Sequence, residues 1–252
     1  EDNLKYISNF TGSAGFAVVL KKKNYMFVDG RYSIQADIQC GEHFQICTIP
    51  KKYPFNVFKK KNLNLGFDPK LHTENSLNRL FGSSFIKLKP INKNLIDILW
   101  KRKKNSNVSY FYQIKDKDAG SKIEQKLLNL VKQIKFNEAD CLFSTASENI
   151  AWLLNIRGED TKYSPLPNVH AIINKTGKVL LFCNLKKISK FLKNKINKNV
   201  KIYDFSVLPN FILNLSNNKI LIDVLTCSIF YKSIIKKNNL ILEKQDPIYY
   251  LK

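Results

Sequence analysis

No run of apolar residues approaches the roughly 18–20 needed to cross a bilayer. The first residues, Glu1-Asp2-Asn3-Leu4-Lys5, lack the basic and then apolar pattern of a secretion signal. Both absences predict a soluble, unexported chain with the cytoplasm as its location and no membrane partner. The five cysteines, Cys40, Cys47, Cys141, Cys183 and Cys227, contain no CxxC pair and leave one over if paired. That disfavours a zinc ribbon and a disulfide framework, and Cys141 and Cys183, set among apolar residues, read as small buried hydrophobes. Histidine is scarce too. His43, His72 and His170 stand apart from any carboxylate cluster at metal-ligand spacing, so each reads as a surface or packing residue and no metal ligand is assigned. No Gly-Lys-Ser/Thr follows the glycine-rich segment near the start, which disfavours a phosphate loop. Repeats of solenoid period and long low-complexity linkers are also missing.

What is present suits a folded object, since 252 residues at 44% hydrophobic content can bury one or two substantial cores. Acidic residues are outnumbered, 20 against 42 Lys and Arg, for a formal charge of +22. A basic face could track phosphates. The lysine runs, however, are scattered from Lys21-Lys22-Lys23 to Lys236-Lys237, and lysine greatly outnumbers the bidentate arginine. A solvated background is therefore the expectation and nucleic acid is not the expected partner. A basic nucleic-acid-binding module, or a catalytically inactive interaction module, remains the alternative.

Periodicity gives alternating strands and helices. Strands are expected over 16–20 and 25–28, joined by the lysine-rich turn, with a helix after Asp29-Gly30 carrying Tyr32, Ile34, Ala36 and Ile38. Further strands are read at 44–49, ending at 65–69, and at 85–88, with a Thr73-capped helix through Leu80 and another over 94–100. The polar basic stretch that follows, with Asn105-Ser106-Asn107, marks the expected boundary between domains 1–104 and 105–252. Beyond it, Ile123, Leu127, Val131 and Ile134 recur at helical spacing. A buried strand at 141–143, a helix at 150–154 and a hairpin over 169–173 and 178–182 come next. Ile188, Phe191, Leu192 and Ile196 form a helical face. The remainder reads as strands at 200–203, 219–222 and 240–242, with helices at 208–215 and 228–235. The fold class is α/β: two tandem domains, each a mixed β-sheet flanked by helices.

Two short motifs stand out. In Phe10-Thr11-Gly12-Ser13-Ala14-Gly15, small residues and two glycines let the backbone turn tightly and approach other groups closely. At the end of the second strand comes Asp29-Gly30-Arg31-Tyr32, where Asp29 can cap the following helix. Arg31 then lies in the first helical turn, where the dipole does not favour a cation. Either a carboxylate elsewhere in the domain or a functional anion holds it there.

Together the two motifs resemble the opening domain of the long-form X-prolyl aminopeptidases, members of the creatinase/prolidase superfamily. Leu65-Gly66-Phe67-Asp68-Pro69 resembles the family's Val-Gly-Val-Asp-Pro, and Asn94-Leu95-Ile96-Asp97-Ile98-Leu99-Trp100 its Asn-Leu-Val-Asp-x-Ile-Trp. The segment from Ile150 to Asp160, with Trp152-Leu153-Leu154-Asn155-Ile156-Arg157-Gly158 inside it, is the closest match. The resemblance implies a parent enzyme of three domains that removes the residue ahead of proline. Of these, the chain resembles only the two non-catalytic N-terminal domains, which shape the substrate cleft and the oligomer. It implies two divalent ions, commonly manganese, in a catalytic domain absent here, so that no catalytic residue and no cofactor is assigned to this chain and the fragment alone is expected to be inactive. The implied partners are a peptide with proline in second position, the parent's own catalytic domain and a second copy in a homodimer. Arg31 matches the family arginine that reaches into the cleft and contacts the peptide, with Asp29 in support. The first strand and helix of the family's opening domain are expected to be missing, as if the chain starts inside that domain.

Overall fold

A computed structural model describes residues 2–59, 62–82, 85–100 and 108–252. The polar basic stretch at 101–107, and with it the expected domain boundary, lies outside the described residues. The chain divides into two compact units, Glu1–Lys103 and Lys104–Lys252.

The first unit begins with α1 (Asp2–Ser8), an element the sequence pattern did not reveal, and continues into β1 (Gly15–Val19) and β2 (Asn24–Asp29). A 3-10 turn (Gly30–Tyr32) leads into α2 (Ser33–Cys40), and β3 (Phe44–Ile49) follows. The sheet runs β1-β2-β3, antiparallel in the first pair and parallel in the second. As the central strand, β2 is buried on both faces, and its side chains alternate between two packing layers. Met26 and Val28 join Phe10, Ala36 and Cys40 beneath α2. Tyr25 and Phe27 point the other way and meet the ring of Phe58 edge-on, just beyond α3 (Pro54–Val57).

A second, two-stranded parallel sheet pairs β4 (Asn64–Phe67) with β5 (Lys87–Pro90), separated by α4 (Glu74–Phe81). Thr73 caps α4 as expected, its Oγ1 accepting the Ser76 N–H at 3.1 Å. The strand expected at 85–88 lies two residues later. Its register sets Leu88 opposite Leu65 and leaves Phe85 75% exposed ahead of the strand. Capped by Asn94, α5 (Leu95–Leu99) closes the described part of the unit.

The second unit holds α6 (Asp116–Ala119), α7 (Ile123–Phe136) and a six-stranded sheet in the order β11-β10-β9-β7-β12-β13. A small antiparallel pair, β6 (Tyr112–Gln113) with β8 (Ile156–Arg157), stands beside it. In the large sheet, β7 (Cys141–Ser144) is followed by α8 (Ser147–Leu153), then by the hairpin of β9 (His170–Asn174) and β10 (Val179–Cys183). After α9 (Lys190–Lys195) come β11 (Val200–Asp204), α10 (Leu208–Asn214), β12 (Lys219–Ile222), α11 (Ile229–Ile235) and β13 (Leu240–Glu243). Strands β7, β12 and β13 are parallel, and β9 runs against its neighbours.

Alternation along these strands builds the two cores. Leu142, Ala171, Ile173, Leu181, Cys183 and Leu221 face α7 and α8, and Phe143, Ile172, Phe182, Ile220 and Ile222 face α10 and α11. On α7 the buried stripe is Ile123, Leu127, Leu130 and Ile134, so Leu130 occupies the place expected for Val131. The expected helical face at 188–196 contracts to the six residues of α9. Ser189 caps that helix and puts Ile188 ahead of it, Ile196 lies beyond its end, and Phe191 is 67% exposed. Each unit is thus a mixed sheet with flanking helices.

Candidate functional site

The site begins where β2 ends. Asp29 leaves the strand with extended backbone (φ −62°, ψ 149°), and its Oδ1 accepts the Arg31 N–H at 3.0 Å, capping the 3-10 turn. The same oxygen accepts the Arg31 Nε–H at 2.8 Å. One carboxylate oxygen therefore fixes both the backbone turn and the root of the guanidinium. The hydrogen bond from Arg31 holds the Asp29 carboxyl below the usual range, and Asp29 in turn raises Arg31, so both are charged at neutral pH. The Arg31 side chain is 74% exposed, and among the described residues its Nη nitrogens make no hydrogen bond. Chemically this is a planar cation held at one edge with a two-nitrogen fork left open, the donor geometry that grips a carbonyl or carboxylate.

The glycine-rich loop lies against the same turn. Its Ala14 carbonyl accepts the Asp29 N–H at 3.3 Å. Thr11 is clasped by α2, with Gln39 Oε1 accepting the Thr11 N–H at 2.9 Å and Gln35 Nε2 donating to Thr11 Oγ1 at 3.0 Å. Ser13 Oγ lies 2.7 Å from Tyr32 Oη. Close approach explains two glycines. A Cβ on Gly12 would come within 2.3 Å of Phe10 Cζ and 2.9 Å of Tyr32 Cδ1, and one on Gly15 within 3.1 Å of the Phe27 carbonyl oxygen. Gly30 has only ordinary contact, 3.6 Å from Thr48 Cγ2. Gln35 and Gln39 carried no signal in the motifs. Their spacing with Tyr32, at positions 32, 35 and 39 on one helix face, could have marked them.

Arg31 and Asp29 are thus side by side. The histidines are dispersed: His72 meets Phe67 edge-on, and His170 is enclosed by the rings of Phe143, Phe205 and Tyr231. All five cysteines are buried, and burial pushes the Cys141 and Cys183 thiols up to about 12. Among the described residues no three His, Cys, Asp or Glu side chains gather as a metal site, so the donor set does not fit the two-ion centre implied by the resemblance. No described helix is long and apolar enough to cross a membrane.

The segment around Trp152 forms a structural node. Buried Lys126 donates from Nζ to Asn155 Oδ1 at 2.6 Å and to the Trp152 carbonyl at 2.9 Å, and lies 4.3 Å from the Trp152 ring centroid. Asn155 takes a left-handed conformation (φ 52°) and donates to the Ser121 carbonyl. Arg157 Nη1 donates to the Ala151 and Ile156 carbonyls. A Cβ on Gly158 would come within 2.9 Å of Pro167 Cα.

A family model of the creatinase/prolidase N-terminal domain matches residues 102–252, and a second of the same description matches residues 1–95. The chain belongs to the creatinase/prolidase N-terminal family. It is 27% identical to Aminopeptidase P1 of Lotus japonicus over 81% of its own length and 32% of that protein. It is 27% identical to Xaa-Pro aminopeptidase 1 of Dictyostelium discoideum over 97% of its own length and 42% of that protein. The chain therefore spans about a third to two fifths of the length of these curated relatives. In fold it is similar to the X-prolyl aminopeptidase of Caenorhabditis elegans, described as a cytosolic enzyme with a di-nuclear active site. The TM-score is 0.84 at 23% identity, over 96% of this chain and 42% of that one. Creatinase/prolidase N-terminal domains thus account for both units, and the relatives with which the chain shares them are Xaa-Pro aminopeptidases.

Proposed function

We propose that the chain is the substrate-side, non-catalytic portion of a Xaa-Pro aminopeptidase, a metal-dependent hydrolase that releases the residue ahead of proline. In this reading residues 1–104 and 105–252 are its two N-terminal domains. Arg31 grips the peptide, and Asp29 anchors the guanidinium at Nε. The observation that carries the reading is the guanidinium anchored at Nε by Asp29 with its Nη fork exposed. A peptide carbonyl offers two lone pairs to such a fork. The bond-breaking chemistry is assigned to another domain of the parent, which holds two divalent ions, manganese in this proposal. The parent is read as a cytoplasmic homodimer, a location in keeping with the cytosolic Caenorhabditis elegans enzyme of the same fold.

The test is release of the first residue from a peptide panel by the full-length parent with manganese. Peptides with proline in second position are cleaved and their alanine counterparts are not, whereas the 252-residue chain alone releases nothing. Cleavage without regard to proline, or metal-dependent release by the chain alone, would contradict the proposal.

A further inference from the structure

The two motifs that flank the β1-β2 hairpin meet at one side chain. The half-buried Tyr32 ring stands edge-on to Phe10, with centroids 5.9 Å apart and planes at 87°. Phe10 itself is 1% exposed, so this edge is fixed by the core. Gly12 passes beside the ring where no Cβ fits, and Ser13 Oγ lies 2.7 Å from the phenolic oxygen. On its remaining side the ring faces Arg31, whose Cζ is 5.6 Å from the ring centroid. Phe10, Gly12 and Ser13 of the glycine-rich loop therefore all hold, or make room for, one ring that carries the guanidinium.

Asp29 alone does not orient that guanidinium. A single contact at Nε leaves the group free to turn about the long side chain. A second contact, over the face of an aromatic ring, narrows the orientations the guanidinium can take. We propose that Tyr32 is the positioning residue for Arg31, and that the glycine-rich loop serves the site by fixing the Tyr32 ring. The inference rests on the reading of Arg31 as the peptide contact. It assigns no contact between Tyr32 and the peptide.

The test is steady-state kinetics of the full-length enzyme on an Xaa-Pro peptide, with thermal melting of each variant alongside. Tyr32→Leu raises KM roughly two- to fivefold, the scale of an exposed cation–ring contact, while kcat stays within about twofold. Tyr32→Phe keeps the ring and restores most of the lost affinity. Because Tyr32 acts through Arg31, Tyr32→Leu adds nothing to KM in an Arg31→Ala background, a non-additivity that a merely structural role would not produce. If Tyr32→Leu folds poorly, Ser13→Ala cuts the tether while leaving the ring, and its smaller rise in KM likewise vanishes in the Arg31→Ala background. Full additivity, or an unchanged KM in Tyr32→Leu while Arg31→Ala raises it, overturns the role of Tyr32 alone. An unchanged KM in Arg31→Ala overturns the underlying reading of Arg31.

Discussion

At the scale of single residues, one carboxylate oxygen of Asp29 serves both the Arg31 N–H and the Arg31 Nε–H. An aspartate two residues before an arginine at a strand end is a turn with a built-in ion pair, and its partners are neighbours in the chain. The part played by Tyr32 was hidden because Ser13 and Phe10 reach it from 19 and 22 residues away. His170 shows the same limit. It reads as an isolated histidine, yet three rings from β7, the turn after β11, and α11 surround it. Burial holds its pKa below the ordinary value of about 6.5, against a smaller raising effect from the Val169 carbonyl. A histidine depressed in the fold resists a proton that the unfolded chain accepts. Stability is therefore full above about pH 6.5 and lost as pH falls through that value toward the folded pKa. Urea unfolding from pH 7.5 to 5 should show this loss, and His170→Gln should shrink it. An identical pH profile in the variant would remove His170 as the cause.

Among elements, strict alternation placed the strands of the large sheet, since a one-residue slip would exchange the layers facing α7–α8 and α10–α11. Pattern failed where elements are short. Nothing in Phe85-Ile86-Lys87-Leu88 alone shows that pairing with β4 begins at Lys87. Among the apolar residues at 188–196, a serine cap rather than periodicity decides where α9 starts. The node joining α7 to the turn after α8 depends on an ammonium buried at 3% exposure, satisfied by Asn155, the Trp152 carbonyl and the Trp152 ring. Asn155→Ala removes an acceptor from a buried cation and places a residue less tolerant of positive φ in a left-handed position. The expected loss is roughly 2–4 kcal/mol by denaturant unfolding. Lys126→Met removes the charge as well and should cost less, because an unpaired buried ion is worse than none. The reverse order would mean that the node is held by packing rather than by the ammonium.

Over the whole molecule, two creatinase/prolidase N-terminal domains follow one another in a chain of net charge +22. The family was legible because the matching motifs sit at backbone-determined points: the turn after β2, the end of β4, the cap of α5 and the turn after α8. Each needs a small, capping or left-handed residue where the chain changes direction. Function was less legible, since a binding cleft is set by tertiary placement and the Arg31 fork belongs to a residue that also makes an ordinary ion pair. The central claim is that this fork holds substrate. Arg31→Ala in the full-length enzyme, assayed on an Xaa-Pro peptide with metal content measured in parallel, tests it most directly. KM is expected to rise roughly ten- to hundredfold, the scale of a charge-assisted hydrogen bond, with bound metal unchanged. An unaltered KM at full metal content would contradict it.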